Sequence, residues 1–266
     1  MSLALIADAH LGGPGGAAGP LVDQLQALPA QGCRRLILMG DLFQAWVGFP
    51  RFETPDVAAV VAALRRLREQ GVEIDYIEGN RDFFLAGSPY ADAFDRIGLE
   101  TAFEVGGVRY LAVHGDGLND RDWKYRFWRR LSKSAPVRFL VRRIPQRLAH
   151  RMVHSTERRL SQTNFKHRAA VPEAAIRRYA ERRLAEGYDA LLLGHFHEPR
   201  AWKVAGGEVR LLDAWFRTRA VEWLPQSEPL PAKTPPGAGA FDSGRTDTAS
   251  RAEKILGELG FGKDRP

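Results

Sequence analysis

The chain has 266 residues, 44% of them hydrophobic, one cysteine and a formal net charge of +7. That is enough for one sizeable α/β domain with an insertion and too apolar for general disorder. The lone Cys33 excludes an internal disulfide and accords with a reducing compartment. No window reaches the ~18 apolar residues of a membrane span, and residue 3 already enters an apolar strand without a signal-peptide core, so a cytoplasmic chain is expected.

Leu3–Ala7 reads as a short buried strand running into Asp8-Ala9-His10. A Gly/Pro-rich loop follows, then a helix over Leu21–Ala30, a second strand over Arg35–Met39 and a loop from Leu42 to Thr54. Pro55 suits the first turn of a helix whose Val57, Val60, Val61, Leu64 and Leu67 recur at helical spacing. Val72–Glu78 predicts a third strand, Tyr90–Ile97 a short helix, and Thr101–Val105 with Val108–Val113 a hairpin around Gly106-Gly107. Pro172–Glu186 predicts a helix, Asp189–Leu193 a buried strand, Trp202–Val204 and Glu208–Leu212 a second hairpin, and Arg219–Trp223 a last strand. Alternation early and hairpins late imply a mixed two-layered sheet wrapped by helices. The core is expected over 1–120 and 169–224, with a helical insertion over 121–168 and a Pro/Gly-rich disordered tail over 225–266.

Charge is unevenly placed. Residues 121–168 hold 15 Lys and Arg against two acids, a net of +13, which leaves −6 on everything else. This stretch reads as two or three helices broken at Pro136 and Pro145. A solvated helical face would mix charge signs; the one-signed segment instead indicates an anionic partner.

Chemistry gathers where strands stop. Asp8 and His10 follow the first, Asp41 the second after Met39-Gly40, Asn80 the third, His114 the hairpin, and His195 with His197 the late strand. Open α/β sheets place ligands at such carboxyl ends. Singly, an Asp there reads as a cap or turn residue and a His as a surface or core residue; jointly, five coincidences are hard to sustain. Carboxylate, amide and imidazole donors without thiolate suit Mn²⁺, Fe²⁺ or Zn²⁺. Seven ligands exceed one ion but serve two, and Asp41, the lone metal-type residue of its loop, is the candidate bridge.

Asp8-x-His10, Gly40-Asp41, Gly79-Asn80-Arg81-Asp82, His114-Gly115-Asp116 and Gly194-His195-x-His197, in that order, resemble the signature of calcineurin-like metallophosphoesterases. The resemblance implies a four-layered α/β/β/α metallophosphoesterase sandwich with a helical cap insertion. It also implies two divalent ions, commonly Mn²⁺. Asp8, His10, Asp41 and His197 would hold one; Asp41, Asn80, His114 and His195 would hold the other. A bridging hydroxide would be the nucleophile, with Asn80, Arg81 and His114 as catalytic residues. Arg81 replaces the histidine usual after the motif asparagine. With Gly40-Asp41-Leu42-Phe43-Gln44-Ala45-Trp46-Val47-Gly48, it resembles the branch that cleaves the pyrophosphate of an acylated sugar nucleotide in lipid A synthesis. A phosphate monoester leaving group has a second pKa of about 6 and needs no acid, so a fixed cation is the more useful group. Arg81, Asp122, Tyr125, Ser155, Lys166 and His195 would contact substrate. The sequence departs from that branch at Ala9, Phe49-Pro50 and Phe216.

The basic cap, with Trp123, Phe127, Trp128, Phe139 and Leu140, is expected to cover acyl chains and rest on the anionic inner-membrane surface from the cytoplasmic side. Nucleic acid and an obligate protein partner are not expected. The competing classes are a related enzyme for another nucleotide diphosphate, lipid diphosphate or phosphodiester, and a non-catalytic binding module with a vestigial site. The complete ligand set argues against the last.

Overall fold

The structure, a computed structural model, describes residues 2–12, 16–119, 122–163 and 171–225. The expected tail lies almost wholly outside these residues. Two five-stranded sheets form the core. The first contains β1 (Ser2–Ile6), β2 (Cys33–Leu38), β4 (Glu73–Ile77), β6 (Arg96–Gly98) and β12 (Glu222–Leu224), in the order β12-β1-β2-β4-β6. All its pairings are parallel except β12 on β1. The second contains β7 (Glu100–Val105), β8 (Val108–Val113), β9 (Ala190–Leu193), β10 (Arg200–Val204) and β11 (Gly207–Leu211), in the order β10-β11-β9-β8-β7. A two-stranded parallel pair joins β3 (Trp46–Val47) to β5 (Asp82–Phe83).

The layers follow from alternation along each strand. Leu3, Leu5, Ile37 and Met39 turn one way and meet Tyr110, Ala112, Ala190 and Leu192 of the other sheet. Ala4, Ile6, Leu36 and Leu38 turn the other way, under α1 (Gly19–Ala27) and α2 (Pro55–Glu69). Leu111, Val113, Leu191 and Leu193 lie under α6 (Glu173–Leu184). Strands buried on both faces have to be apolar almost throughout, which is why they appear in the sequence as short continuous runs. The result is an α/β/β/α sandwich, as the resemblance implied.

Three expectations change. Tyr90–Ile97 is a 3₁₀ turn at Ala91–Ala93 followed by β6, because Asp95 pins the chain beside β4. Its amide donates to the Ile74 carbonyl at 2.7 Å and its carboxylate accepts from the Ile74 amide at 2.7 Å. The last strand starts at Glu222, since α7 (Trp215–Thr218) and a left-handed Arg219 occupy the preceding residues. The loop after Leu42 contains β3, whose pairing with β5 ties the Asp41 and Asn80 loops together.

Between β8 and α6 lie α3 (Trp123–Ser132), α4 (Ala135–Val141) and α5 (Gln146–Thr163). Pro136 sits in the first turn of α4 and Pro145 directly precedes α5, consistent with the expected breaks. Phe52, Ala149 and Val153, flanked by Phe49 and Ile144, form the apolar joint with the body, and Arg51 donates to the Ile144 carbonyl at 2.8 Å. Phe49-Pro50 therefore belongs to the seam between body and insertion.

Leu192, between the sheets, tests this layering. Leu192→Ala is expected to lower stability by about 2–5 kcal/mol, read as a fall in the urea midpoint without a change in slope.

Candidate metal centre

β1, β2, β4, β8 and β9 all end at the same edge of the two sheets, and their loops are laced together by backbone hydrogen bonds. The Asp8 amide donates to the Gly40 carbonyl at 3.3 Å, His10 to Asp41 at 3.0 Å and Trp215 to Ala7 at 2.8 Å. Asp8, His10, Asp41, His195 and His197 all have φ between +46° and +68°, five of the eight non-glycine residues with positive φ among the described residues. Such backbone strain concentrates at functional sites. Here it turns five side chains out of their strand directions into one pocket. His195 and His197 are accordingly loop residues, beyond the end of β9 at Leu193.

Two clusters of ligand atoms result, each within 4.8 Å: Asp8, His10 and His197, and Asp8, Asp41 and His114. Asp8 is common to both. Its Oδ1 lies 3.3 Å from His197 Nε2 and 3.7 Å from His10 Nε2, while Oδ2 accepts from the His195 amide at 2.7 Å. Asp41 Oδ1 lies 3.7 Å from His114 Nε2 and accepts from the Arg81 amide at 2.9 Å. Asn80 Oδ1 is 3.2 Å from His114 Nε2. The His195 ring stands edge-on to His114 at 5.1 Å, outside both clusters.

The neighbours hold these groups in a ligating pose. His114 Nδ1 faces the Met39 carbonyl at 2.7 Å, so it carries the proton and leaves Nε2 for the pocket. Gly40 is needed because a Cβ there would meet Gly79 N at 2.7 Å and His114 Nδ1 at 2.9 Å. A Cβ on Gly79 would overlap Asp41 Oδ1. Buried Asp82 accepts from the Asp41 amide at 3.0 Å and the Gly79 amide at 2.7 Å. Its role could be anticipated only from its place in the motif.

Electrostatically the pocket calls for positive charge. Asp8, Asp41 and His114 are buried, as is His10. Burial raises the Asp41 carboxyl against the pull of His114 and Arg81. Burial also lifts Asp8, but the His197 contact and the neighbouring imidazoles outweigh it and hold that carboxyl low. Burial opposes a charge on His114, yet Asp41 and Asp8 prevail and move it up to about 9. Burial takes His195 down to about 4 and His10 well below its usual value. Asp8 Oδ1 and His10 Nδ1 have no hydrogen-bond partner, and His10 Nε2 faces His197 Nε2 at 2.9 Å. Unsatisfied buried oxygen and facing imidazole nitrogens are what a divalent ion would satisfy. The donor set fits.

Other sequence-selected residues fall around the rim. Arg81 lies with Nε 3.4 Å from Asp41 Oδ2. Asp122 caps α3, accepting from the Tyr125 amide at 2.9 Å. The Tyr125 hydroxyl donates to Asp116 at 2.6 Å, and Arg129 Nε reaches the same carboxylate at 2.6 Å. Lys133 donates to the Gly79 carbonyl at 2.9 Å. Asp116, Arg129 and Lys133, which join α3 to the His114 and Asn80 loops, had no role assigned from sequence; only the adjacency of Asp116 to His114 hinted at one. Ser155 is half-buried on α5, and Lys166 lies outside the described residues. Phe216 packs against both His10 (5.3 Å) and His197 (5.1 Å).

An α/β/β/α sandwich with carboxylates and imidazoles converging from its strand ends is the metallophosphoesterase fold. No protein-family profile matches the chain. It is 33% identical over 186 residues to the UDP-2,3-diacylglucosamine hydrolase of Pseudomonas fluorescens (strain SBW25), covering 67% of this chain and 72% of that protein. To the enzyme of that name from Yersinia pestis bv. Antiqua (strain Angola) it is 32% identical over 204 residues, 75% and 83% of the two chains. For Ralstonia nicotianae the figures are 30% over 224 residues, 79% and 82%. The chain belongs to the UDP-2,3-diacylglucosamine hydrolase family. Among solved structures, the phosphopantetheinyl hydrolase of Mycobacterium tuberculosis is a distant likeness, with 17% identity and a TM-score of 0.45 over 87% of this chain and 98% of that one.

Cation binding has two expected signatures. Adding Mn²⁺ to chelator-treated protein is expected to raise its melting temperature, by about 2.7 kcal/mol of stabilisation at 100 times Kd. Because the raised His114 must lose its proton to ligate, binding at pH 7 should release protons and weaken as pH falls. Calorimetry in buffers of different ionisation enthalpy measures that release.

Proposed function

We propose that this chain hydrolyses the pyrophosphate bond of UDP-2,3-diacylglucosamine, giving UMP and 2,3-diacylglucosamine 1-phosphate. Water adds to the nucleotide's α-phosphorus, and the P–O bond to the bridging oxygen breaks, leaving that oxygen on the sugar phosphate. The observation that carries this reading is the pairing of the buried ligand pocket with Arg81, whose guanidinium lies beside Asp41.

Two divalent ions, proposed as Mn²⁺ on the family resemblance, would supply Lewis acidity and neutralise charge on the phosphates. Asp8, His10, Asp41 and His197 would hold one, and Asp41, Asn80, His114 and His195 the other. Arg81, a permanent planar cation, binds phosphate oxygens and stabilises charge developing there. A departing phosphate monoester needs no proton, so an arginine in place of a general acid costs nothing in this reaction. His195, neutral at pH 7 because burial lowers it to about 4, offers an imidazole lone pair rather than a second positive charge. The sugar and acyl portions would be met from the cap, where Asp122, Tyr125, Ser155 and Lys166 are the proposed contacts.

No helix among the described residues is long and apolar enough to cross a membrane. Yet among the described residues six of the seven exposed large apolar side chains lie on α3–α5: Trp123, Phe127, Leu131, Phe139, Leu140 and Leu148. Trp123, Phe127 and Leu131 recur every fourth residue and share one face of α3, and Arg126, Arg130, Arg142 and Arg143 lie exposed among them in the chain. Basic helices with an exposed aromatic face suit the surface of an anionic bilayer. The cap is therefore assigned to peripheral contact with the cytoplasmic face of the inner membrane, where the acylated substrate resides.

Mass spectrometry of products from the acylated sugar nucleotide with Mn²⁺ should show UMP, and reaction in ¹⁸O-water should place the label on it. Asp41→Ala and His114→Ala should each lose more than 10²-fold in kcat and retain fewer ions; undiminished turnover would refute the assignment. Sedimentation with phosphatidylglycerol vesicles should retain the protein at low salt and release it at high salt. Trp123→Ser/Phe127→Ser should bind these vesicles less.

A further inference from the structure

Gln44 is a buried side-chain amide that touches both the Asp8–His10 loop and Arg81. It is 2% exposed. Its backbone amide donates to the Leu11 carbonyl at 2.8 Å, which anchors the residue independently of its side chain. Nε2 donates to the His10 carbonyl at 2.9 Å, and Oε1 accepts from Arg81 Nη1. The orientation of the amide is unambiguous. A guanidinium has only donors and a carbonyl only accepts, so oxygen must face Arg81 and nitrogen must face His10. The amide thus spans the Asp8–His10 loop, where His10 is held at φ +46°, and the Asn80–Arg81 loop.

Arg81 needs such a support. Its side chain has many rotamers, and an unfixed guanidinium beside Asp41 could collapse onto that carboxylate instead of facing a phosphate. Gln44 Oε1 gives the guanidinium a buried acceptor at Nη1, a different nitrogen from the Nε beside Asp41, and so helps set the plane of the fork before substrate arrives. We propose that Gln44 is the positioning residue for Arg81, holding its guanidinium in the phosphate-binding orientation and keying it to the His10 loop. The proposal rests on the assignment of Arg81 to the substrate's phosphates.

The test is a double-mutant cycle on the Mn²⁺-loaded enzyme, with kcat/KM and metal content measured for each variant. Gln44→Met keeps volume and loses both hydrogen bonds, and Gln44→Asn is too short to span the gap. Each is expected to lower kcat/KM by about 10–100-fold, the usual cost of losing a residue that orients an active group, with the ion content of wild type. Gln44→Glu, which keeps an acceptor for the guanidinium and gives up only the donor to the His10 carbonyl, should lose less kcat/KM than Gln44→Met. In an Arg81→Ala background, Gln44→Met should cost nothing further. Wild-type kcat/KM in both Gln44→Met and Gln44→Asn would overturn the proposal, as would an equal loss with and without Arg81. If Arg81→Ala itself left kcat/KM unchanged, the phosphate assignment would fall and the proposal with it. A loss in Arg81→Ala without one in Gln44→Met would sink the proposal alone.

Discussion

Two carboxylates, Asp8 and Asp41, sit buried at the edge where both sheets end, and everything nearby answers to the cost of keeping them there. Neither carboxylate reaches bulk solvent, so compensating positive charge has to come from the protein or from ions. Arg81 supplies some of it, and His114 takes a proton readily for the same reason. The orphaned Asp8 Oδ1 and the facing nitrogens of His10 and His197 mark what the protein's own cations do not satisfy. A pocket whose buried donors could hold cations at this depth is then suited to anionic phosphates arriving at its mouth.

Holding that arrangement requires a tight frame. Gly40 and Gly79 admit His114 and Asp41 at distances that any side chain would block. Asp82 gathers the amides of Asp41 and Gly79, and β3 with β5 ties the same two loops. Asp8, His10, Asp41, His195 and His197 adopt left-handed backbone, a strain of order 1–3 kcal/mol each. It persists because parallel strands on either side over-determine where each loop begins. The segment α3–α5, by contrast, reaches the site through a few polar links, Arg129 and Tyr125 to Asp116 and Lys133 to Gly79; it buries Ala149 and Val153 at the seam but leaves Trp123, Phe127, Phe139 and Leu140 exposed.

Much of this was legible in the chain. Short apolar runs followed by Asp, Asn or His announced both the strands and the ligand-bearing ends, because strands buried on two faces leave no alternative composition. The unmixed charge of residues 121–168 announced a separate basic face. Local propensity misled at Tyr90–Ile97, where pairing with Ile74 outweighed a helical pattern, and at Arg219, where α7 intervenes. Trp46–Val47 was hidden because a two-residue strand has no periodicity to detect. The resemblance alone marked Asp122 and Tyr125 as substrate contacts, while their observed hydrogen bonds cap α3 and fasten it to Asp116.

The sequence by itself determined which atoms are available: hard and borderline donors at five strand ends, an arginine after the asparagine, and one strongly basic segment. These are chemical identities and one-dimensional spacings, which the chain carries before it folds. Only the tertiary structure decided which donors meet. It made Asp8 common to both ligand clusters, set His195 beside His114, and ran Gln44 from the His10 carbonyl to Arg81. Such pairings depend on how two sheets face one another across residues far apart in the chain, and no local pattern encodes that geometry.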